Sequence, residues 1–371
     1  MKITRVTAWS IHLPYVEGVY RMSGDRVTTG MDAVVVRVVA DDGTVGLGES
    51  GTVKVTFDAQ NLVGQVAGIT ALAPVLLDLD PRGPQAVHRQ LTAALTGHPY
   101  VKAPLDVAVW DLAARAAGVP LWQRLGGDGP EPTPLYRPVQ GHTPDDAVAS
   151  AHRRLAQGYR RLQVKVGDDP ILDAQRVLAV RDAVGDDVVI FADANCGFSL
   201  SSARRFTREL GAGGAGIFLE QPCATLTDCA HLRSSWTGPM VMDETIVSLA
   251  ALIEAHRLGV ADGVTIKLTR VGGITPAVTI RDAAVELGIG VTVEDASGCD
   301  LADTTFAHLN ASTPARLRVH TVDFASWVTI NHVSGPSPRD GSVLRPQMDA
   351  PGLGLELRED LLGAPFVDVR A

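Results

Sequence analysis

The 371-residue sequence has only four cysteines, 5% aromatic residues and no cluster of basic residues. The cysteines form no CxxC pair and no regular framework, which is typical of buried, reduced thiols rather than of a disulfide scaffold. A formal net charge of −9 argues against a nucleic acid or an anionic membrane as partner, because both require a concentrated positive surface. A small molecule is therefore the expected partner.

The sequence also lacks an apolar run that could span a bilayer. The longest weakly polar stretch, Leu62 to Leu77, is too short and contains Gln65 and Pro74, so we expect a buried helix there. No apolar stretch followed by a small-residue cleavage site occurs near the amino end, and we expect a cytoplasmic protein. The length allows two domains, or one large barrel with an addition.

The hydrophobic pattern changes along the chain. The first 60 residues read as strands and turns, and residues 61–118 have helical apolar spacing. Beyond them, short β-branched runs alternate with amphipathic stretches, and these runs begin near residues 133, 161, 187, 215, 239, 263, 290 and 316. Because parallel strands need crossover helices, eight runs with seven helices between them predict an α/β fold closed into a barrel. No GxGxxG or GxxxxGK[ST] motif supports the alternative, an open nucleotide-binding sheet.

Ionisable residues stand at the carboxyl ends of six consecutive runs, about 25 residues apart. In a barrel these ends converge on one mouth, where catalytic residues of such folds lie. Any one of them could be a helix cap or a solvated loop residue, but six in register indicate a site. They are Lys165, Asp193, Glu220, Asp243, Lys267, and Glu294 with Asp295.

Three of these residues, Asp193, Glu220 and Asp243, predict a metal site. Three carboxylates at one point cannot all stay ionised near neutral pH without a compensating cation. An all-oxygen ligand set favours Mg²⁺ over zinc. The histidines do not follow the strand-end spacing, except His320, which we interpret as structural.

The two lysines, Lys165 and Lys267, lie on opposite sides of the three carboxylate-bearing strands. A partly desolvated lysine near a divalent cation has its neutral form favoured and can act as a base. A carboxylate substrate held between two such amines suggests abstraction of its α-proton, with the metal stabilising an enediolate.

With these strand-end residues and the motifs around them, the whole chain resembles the enolase superfamily, specifically its mandelate racemase/muconate lactonizing enzyme group. The resemblance implies an α+β capping domain over residues 1–125, a modified TIM barrel, (β/α)7β, over 126–345, and a segment returning to the cap over 346–371. It implies Mg²⁺ on the three carboxylates, acid/base roles for the two lysines, and a homo-oligomer, often an octamer. The matching motifs are Gly46–Ser50, the helix Leu105–Gly118 with PLWQRLGG, VKVG at Lys165, DAN at Asp193–Asn195, EQP at Glu220–Pro222, DE at Asp243–Glu244 and KLTRVGGIT from Lys267.

A narrower resemblance rests on VTVEDASGCDLADTTFAHLNAST, HTVDFASWVTINH and PGLGLEL. These segments look like the branch that contains cis-3-hydroxy-L-proline dehydratases and 4-hydroxyproline betaine epimerases. The common KxK motif is here Gln163-Val164-Lys165, so an amide replaces the first lysine, and in that branch Gln163 would hydrogen-bond the substrate carboxylate. Asn195 is a further expected substrate contact. Asp295, with Glu294 as second choice, would contact the substrate amine or hydroxyl.

Aromatic residues around the expected pocket are few. The loop after Glu49 often carries an aromatic ring in this branch, whereas Thr56 stands nearest that position here. Tyr20, Trp327 and the neighbouring Phe57 are the candidate rings. Because a quaternary ammonium is held by several aromatic faces, this shortage favours a free cyclic amine over a betaine.

The predicted function is Mg²⁺-dependent dehydration of cis-3-hydroxy-L-proline to Δ1-pyrroline-2-carboxylate. Lys165 would remove the α-proton and Lys267 would protonate the leaving hydroxyl. Racemisation or 2-epimerisation of proline, hydroxyproline or their betaines is an alternative, because Lys267 could instead reprotonate the opposite face. An acid-sugar dehydratase of the same superfamily, a Schiff-base lyase and a non-catalytic, metal-dependent binding protein are further alternatives.

Overall fold

Two main sheets organise the protein, an antiparallel sheet built largely from the first 52 residues and a curled parallel sheet. The computed structural model describes residues 1–22, 26–52 and 60–371. Its strands are β1 (Ile3–Pro14), β2 (Tyr20–Met22), β3 (Arg26–Thr28), β4 (Gly30–Ala40), β5 (Val45–Thr52), β6 (Thr133–Pro134), β7 (Arg137–Val139), β8 (Arg161–Lys165), β9 (Val189–Asp193), β10 (Phe218–Glu220), β11 (Met240–Met242), β12 (Gly263–Lys267), β13 (Gly290–Glu294), β14 (Val333–Ser334), β15 (Arg339–Asp340), β16 (Val343–Leu344), β17 (Glu356–Leu357) and β18 (Val367–Arg370). Its α-helices are α1 (Leu62–Leu72), α2 (Pro84–Ala94), α3 (Pro99–Ala116), α4 (Leu121–Arg124), α5 (Pro144–Ala156), α6 (Pro170–Val184), α7 (Leu200–Leu210), α8 (Leu226–Arg233), α9 (Leu249–Arg257), α10 (Leu268–Val271), α11 (Ile274–Glu286) and α12 (Asp300–Ala311).

The antiparallel sheet has the strand order β18-β1-β4-β5 and is buried on both faces. Side chains alternate between the two faces of a strand. In β4, Val34 and Val36 pack with α1, α2 and α3 in one apolar cluster, whereas Ala33 and Val35 belong to the cluster that fills the barrel. The sheet therefore lies between a helical layer and the barrel.

Helix α3 joins the two apolar clusters. Leu105 and Leu112 pack with the helical layer, whereas Val107 and Trp110 pack with the barrel. A helix that is apolar all round must be buried on all sides. Its Asp111 side chain is fully buried, pairs with the partly exposed Arg115, and accepts the backbone N–H groups of Leu47 and Leu353 at 2.8 and 2.7 Å.

The parallel sheet has the order β13-β12-β11-β10-β9-β8-β7, with a helix between successive strands. It confirms the predicted (β/α)7β barrel. The expected eighth strand, near residue 316, is not a regular strand: only Arg318 and Thr321 form bridges, to Val291 and Leu135. The first predicted run is divided into β6 and β7. At the barrel seam, Thr321 N–H donates to the Pro134 carbonyl at 2.9 Å, and Tyr136 N–H donates to the Thr321 carbonyl at 3.1 Å.

The stretch from Leu62 to Leu77 differs in detail from the single buried helix expected. Helix α1 is followed by a 3₁₀ turn, Ala73–Leu76, whose second residue is Pro74. Val63 is 80% exposed, so only one face of α1 is buried. Within the described residues, no helix is both long enough and apolar enough to cross a membrane.

Two glycines allow β5 to lie directly against α3. A Cβ atom on Gly46 would lie 2.1 Å from the carbonyl oxygen of Ala108, and one on Gly48 would lie 2.0 Å from that of Pro104. Both obstacles are backbone atoms of a buried helix, which cannot move aside alone. The close approach thus requires glycine at alternate positions of the strand.

We predict that Gly48→Ala destabilises the protein by about 1–3 kcal/mol, because the added methyl group forces the strand and helix apart. The free energy of unfolding in urea measures the effect. Gly129→Ala is the matched control, since a Cβ there meets open space. Equal stability of the two variants would contradict the close packing of β5 on α3.

The adjoining Glu49 connects the antiparallel sheet to the barrel. Its side chain is buried, its Oε2 accepts the backbone N–H of Ala302 in α12 at 2.9 Å, and His332 Nε2 lies 3.7 Å away. Burial raises the pKa of Glu49 to about 8, and the charges of Asp303 and Asp300 add to the rise. The folded protein therefore favours the protonated carboxyl.

A raised carboxyl pKa contributes stability below the unfolded-state pKa of 4.5, and that contribution is lost as the pH rises towards 8. We predict that Glu49→Gln, which cannot ionise, gains on the order of 1–3 kcal/mol relative to wild type between pH 5 and pH 8. Thermal unfolding at both pH values measures this gain. The exposed Glu356→Gln serves as control. A stability difference that does not change with pH would contradict the raised pKa.

Candidate active site

The strand-end residues surround one cavity at the mouth of the barrel. All six predicted positions, with both residues of the seventh strand end, line it. Other lining residues follow β1, lie in β2 and β8, lie between β6 and β7, follow Asp295, or belong to the segment around Phe324. The full lining is Tyr15, Tyr20, Tyr136, Gln163, Lys165, Asp193, Glu220, Asp243, Lys267, Glu294, Asp295, Ala296, Phe324 and Trp327.

Asp193, Glu220 and Asp243 end or directly follow three neighbouring strands, β9, β10 and β11, and are at most 2% exposed. Glu220 lies on the middle strand. Burial raises its pKa well above the ordinary value, and the charges of Asp193 and Asp243 raise it further. Acidic groups are therefore concentrated at the ends of these three strands, and they repel one another most strongly at Glu220.

Positively charged and amide groups of the protein meet these carboxylates. Lys165 Nζ lies 2.5 Å from Asp193 Oδ2, Lys267 Nζ lies 2.9 Å from Asp243 Oδ2, and Gln163 Nε2 donates to Glu220 Oε2 at 2.9 Å. In this arrangement the described part of the chain holds no group of three or more His, Cys, Asp or Glu side chains in metal-binding geometry.

The donor set nevertheless suits a hard divalent cation. Its three members are oxygen donors on adjacent strands, and repulsion among them raises the pKa of Glu220. A fourth carboxylate, Glu244, follows Asp243 directly. Burial and the charge of Asp243 raise its pKa to about 7. A divalent cation would add to the compensating charge that Lys165, Lys267 and Arg270 supply.

The lysines are protonated in this arrangement. Burial by itself would lower the pKa of Lys165, but Asp193 raises it above the ordinary value, and Asp243 does the same for Lys267. The neutral amines expected from the sequence were those of lysines beside a divalent cation. The difference has a simple cause, since each ammonium here pairs directly with a carboxylate. A cation on those carboxylates would reverse the balance.

The residues predicted to contact the substrate do not all line the cavity. Gln163 lines the cavity, and so do Tyr20 and Trp327, whose ring centroids are 5.1 Å apart. Asn195 does not line it: its backbone turns away at φ +43°, and its side chain donates to Glu244 at 3.0 Å. Thr56, with the neighbouring Phe57, lies outside the described residues.

Of the two acids that follow the seventh strand, Glu294 is the better placed for a ligand. Its Oε2 is buried and has no hydrogen-bond partner in the described parts of the chain. Asp295 lines the cavity too, but its two oxygens accept hydrogen bonds from the backbone and side chain of Thr269. The geometry thus reverses the expected order, in which Asp295 was the first choice for substrate contact.

Several residues at the site were not predicted from the sequence, and Tyr136 and Arg270 lie closest to its charged groups. Tyr136 is buried in the first barrel run and lines the cavity together with Glu294. Arg270, three residues after Lys267, donates to Asp243 Oδ1 at 2.6 Å. The only available signal for Arg270 was its place in the KLTR motif. His320, buried between the rings of Tyr136 and Phe191, has its pKa lowered by burial.

A parallel barrel with three carboxylates and two lysines at its mouth defines an enzyme of carboxylate α-proton chemistry. The sequence matches the family described as mandelate racemase / muconate lactonizing enzyme, N-terminal domain, over residues 5–126, and the family described as enolase C-terminal domain-like over residues 146–361. The protein therefore belongs to the enolase superfamily, in the mandelate racemase/muconate lactonizing enzyme group.

Several relatives match nearly the whole chain. A cis-3-hydroxy-L-proline dehydratase from Roseibium aggregatum is 33% identical over 98% of this chain and 99% of its own. An N-succinyl-L-Arg/Lys racemase from Bacillus cereus is 28% identical over 98% and 97%. A solved structure of an enolase superfamily member from Roseovarius nubinhibens ISM, complexed with magnesium, is 33% identical, with a TM-score of 0.94 over 100% of both chains.

We predict that Mg²⁺ stabilises the protein against thermal unfolding, because it binds the folded carboxylate site and not the unfolded chain. At a hundredfold excess over its Kd the gain should be about 2.7 kcal/mol. Differential scanning fluorimetry with MgCl₂ and with EDTA measures the shift. Glu220→Gln should abolish most of it, whereas the exposed Glu286→Gln should retain it. An equal shift in both variants would place the ion elsewhere.

Proposed function

We propose that the protein dehydrates cis-3-hydroxy-L-proline to Δ1-pyrroline-2-carboxylate. The observation that carries the proposal is the placement of Lys165 and Lys267 at the ends of β8 and β12, on either side of the three carboxylate-bearing strands. The similarity to the Roseibium dehydratase over 98% of this chain supports this choice of substrate.

The reaction begins when Lys165 Nζ takes the α-proton of the substrate. Electrons of the broken C–H bond pass into the carboxylate, giving an enediolate. A divalent cation held by Asp193, Glu220 and Asp243 would bind the substrate carboxylate, favour the neutral amine of the base and stabilise the enediolate charge.

Lys267 completes the dehydration from the opposite side. The enediolate collapses as the C3–O bond breaks, and the ammonium of Lys267 protonates the departing hydroxyl to give water. The resulting unsaturated amino acid tautomerises to the cyclic imine. Two lysines are needed because the α-proton and the hydroxyl lie on opposite faces of the ring.

Glu294 is the proposed acceptor for the substrate ammonium. Its Oε2 is buried at the cavity and has no hydrogen-bond partner among residues 1–22, 26–52 and 60–371. A secondary ammonium offers two N–H donors, whereas a betaine offers none. Five aromatic rings line the cavity, those of Tyr15, Tyr20, Tyr136, Phe324 and Trp327. The preference for a free cyclic amine therefore rests on the Glu294 acceptor and not on a shortage of rings.

Racemisation or 2-epimerisation is the second candidate. The same two lysines could remove the α-proton on one face and return a proton on the other, and the Bacillus cereus relative is a racemase. Betaine substrates fit this candidate less well, for the reason given above. An acid-sugar dehydratase has no comparable support, because Lys267 occupies the sixth strand end.

We predict that the protein with Mg²⁺ exchanges the α-proton of cis-3-hydroxy-L-proline in D₂O and releases water from it. Proton NMR follows both events. Lys165→Ala should lower exchange and dehydration together by about 10²–10⁴-fold, the usual contribution of a general base. Lys267→Ala should suppress dehydration while exchange persists.

Substrate controls separate the candidates. L-Proline and trans-4-hydroxy-L-proline report racemisation or epimerisation, and their betaines test the need for an N–H donor. Epimerised 4-hydroxyproline without any dehydration product would favour the second candidate. Exchange that survives Lys165→Ala but not Lys267→Ala would reverse the two lysine roles. No exchange with any of these compounds would refute the assignment to proline-like substrates.

A further inference from the structure

The turn that follows Lys267 has an unusual cap. Helix α10 begins directly after β12, so Lys267 is its N-cap residue, with extended backbone angles of φ −96° and ψ 121°. Good N-cap side chains carry an oxygen that accepts the N–H of the second or third helical residue. Lysine has no such acceptor, and its side chain makes no capping hydrogen bond.

Asp295 supplies the missing acceptor from the neighbouring strand. Lys267 and Glu294 are register partners in β12 and β13, which brings the next residue, Asp295, beside the start of α10. Asp295 Oδ2 accepts the backbone N–H of Thr269 at 2.9 Å, and Oδ1 accepts the Thr269 hydroxyl. Thr269 N–H is the second of the helix, the usual partner of an N-cap oxygen.

The cap is itself held in place. Asp295 Oδ1 also accepts the backbone N–H of Ala296 at 2.8 Å, and both Asp295 and Thr269 are at most 4% exposed. One residue further along α10, Arg270 donates to Asp243, the carboxylate that also meets Lys267. The start of α10 is therefore fixed at two successive residues beyond the lysine.

We propose that Asp295 is a positioning residue for Lys267. Its carboxylate, which follows the neighbouring strand β13, caps helix α10, which begins directly after Lys267. The Lys267 side chain cannot both cap the helix and transfer a proton, so a second residue supplies the cap. The strand must turn into a helix at Lys267, and the amine must stay available for proton transfer. The inference rests on the proposed function for the role of Lys267, but the cap itself does not depend on it.

The first experiment measures the cap. Backbone amide hydrogen exchange over residues 268–272 should be slow in wild type and in Asp295→Asn, which retains an acceptor oxygen. It should become faster in Asp295→Ala. Unchanged protection in Asp295→Ala would overturn the proposal, whatever the substrate is.

The second experiment separates positioning from substrate contact. With cis-3-hydroxy-L-proline and Mg²⁺, Asp295→Ala should lower kcat for dehydration about 10- to 100-fold with little change in KM, since small displacements of a catalytic group have effects of this size. Exchange of the α-proton, which depends on Lys165, should persist, so the ratio of exchange to dehydration rises. Asp295→Asn should restore much of the dehydration.

Thr269 variants provide matched controls. Thr269→Val removes one of the two donors to Asp295 and should give the same pattern with smaller amplitude, whereas Thr269→Ser should behave like wild type. Because both residues act through one contact, the double variant Asp295→Ala/Thr269→Val should lose less than the sum of the single effects. A raised KM in Asp295→Ala, with Thr269→Val unaffected, would make Asp295 a substrate ligand and overturn the proposal.

Failure of the proposed function gives a different result. If wild type neither exchanges nor dehydrates the substrate while Asp295→Ala loses amide protection, the cap stands and the substrate is wrong. If exchange and dehydration fall by the same factor in Asp295→Ala, the residue supports the whole site rather than Lys267, and the proposal fails.

Discussion

Repulsion among buried carboxylates is the constraint on which the barrel mouth depends. Glu220 lies on β10, between the strands that bear Asp193 and Asp243, and its pKa is raised by burial and by both neighbours. Lys165 and Lys267 each balance one of the outer carboxylates. A cation bound by Asp193 and Asp243 would compete with both lysines for these carboxylates. Charge balance therefore links metal binding, the protonation of the bases and the binding of an anionic substrate.

The remainder of the fold keeps this centre buried and fixed. The antiparallel sheet lies against the barrel because Gly46 and Gly48 let β5 touch α3, and Glu49 caps α12 beyond the seventh strand. Asp111 connects β5, α3 and the segment near Leu353. In the contacts of Glu49 and Asp111, backbone N–H groups donate to the oxygens of a buried acid. The same chemistry, a carboxylate satisfying backbone N–H groups, recurs at Asp295 next to the active site.

Spacing along the sequence predicted the barrel and its mouth, since parallel strands all end at one edge and each βα unit has a similar length. It could not choose between Glu294 and Asp295. Consecutive residues at a strand end point in different directions, and the choice depends on the register that pairs Lys267 with Glu294. Nor could the sequence show that Asn195 has a left-handed backbone and donates to Glu244. The eighth strand was over-predicted, because β propensity does not reveal how few backbone pairs a run will form with its neighbours.

The pairing of β18 with β1 has a consequence for how the protein is made. Arg5 and Arg370 are register partners, although 365 positions separate them. During synthesis the barrel segments leave the ribosome before residues 367–370. Until those residues emerge, the edge of β1 that pairs with β18 is open. Open edges can recruit other strands. The barrel packs on the face of β4 that carries Ala33 and Val35, so contacts that do not involve β18 already cover that face of the sheet.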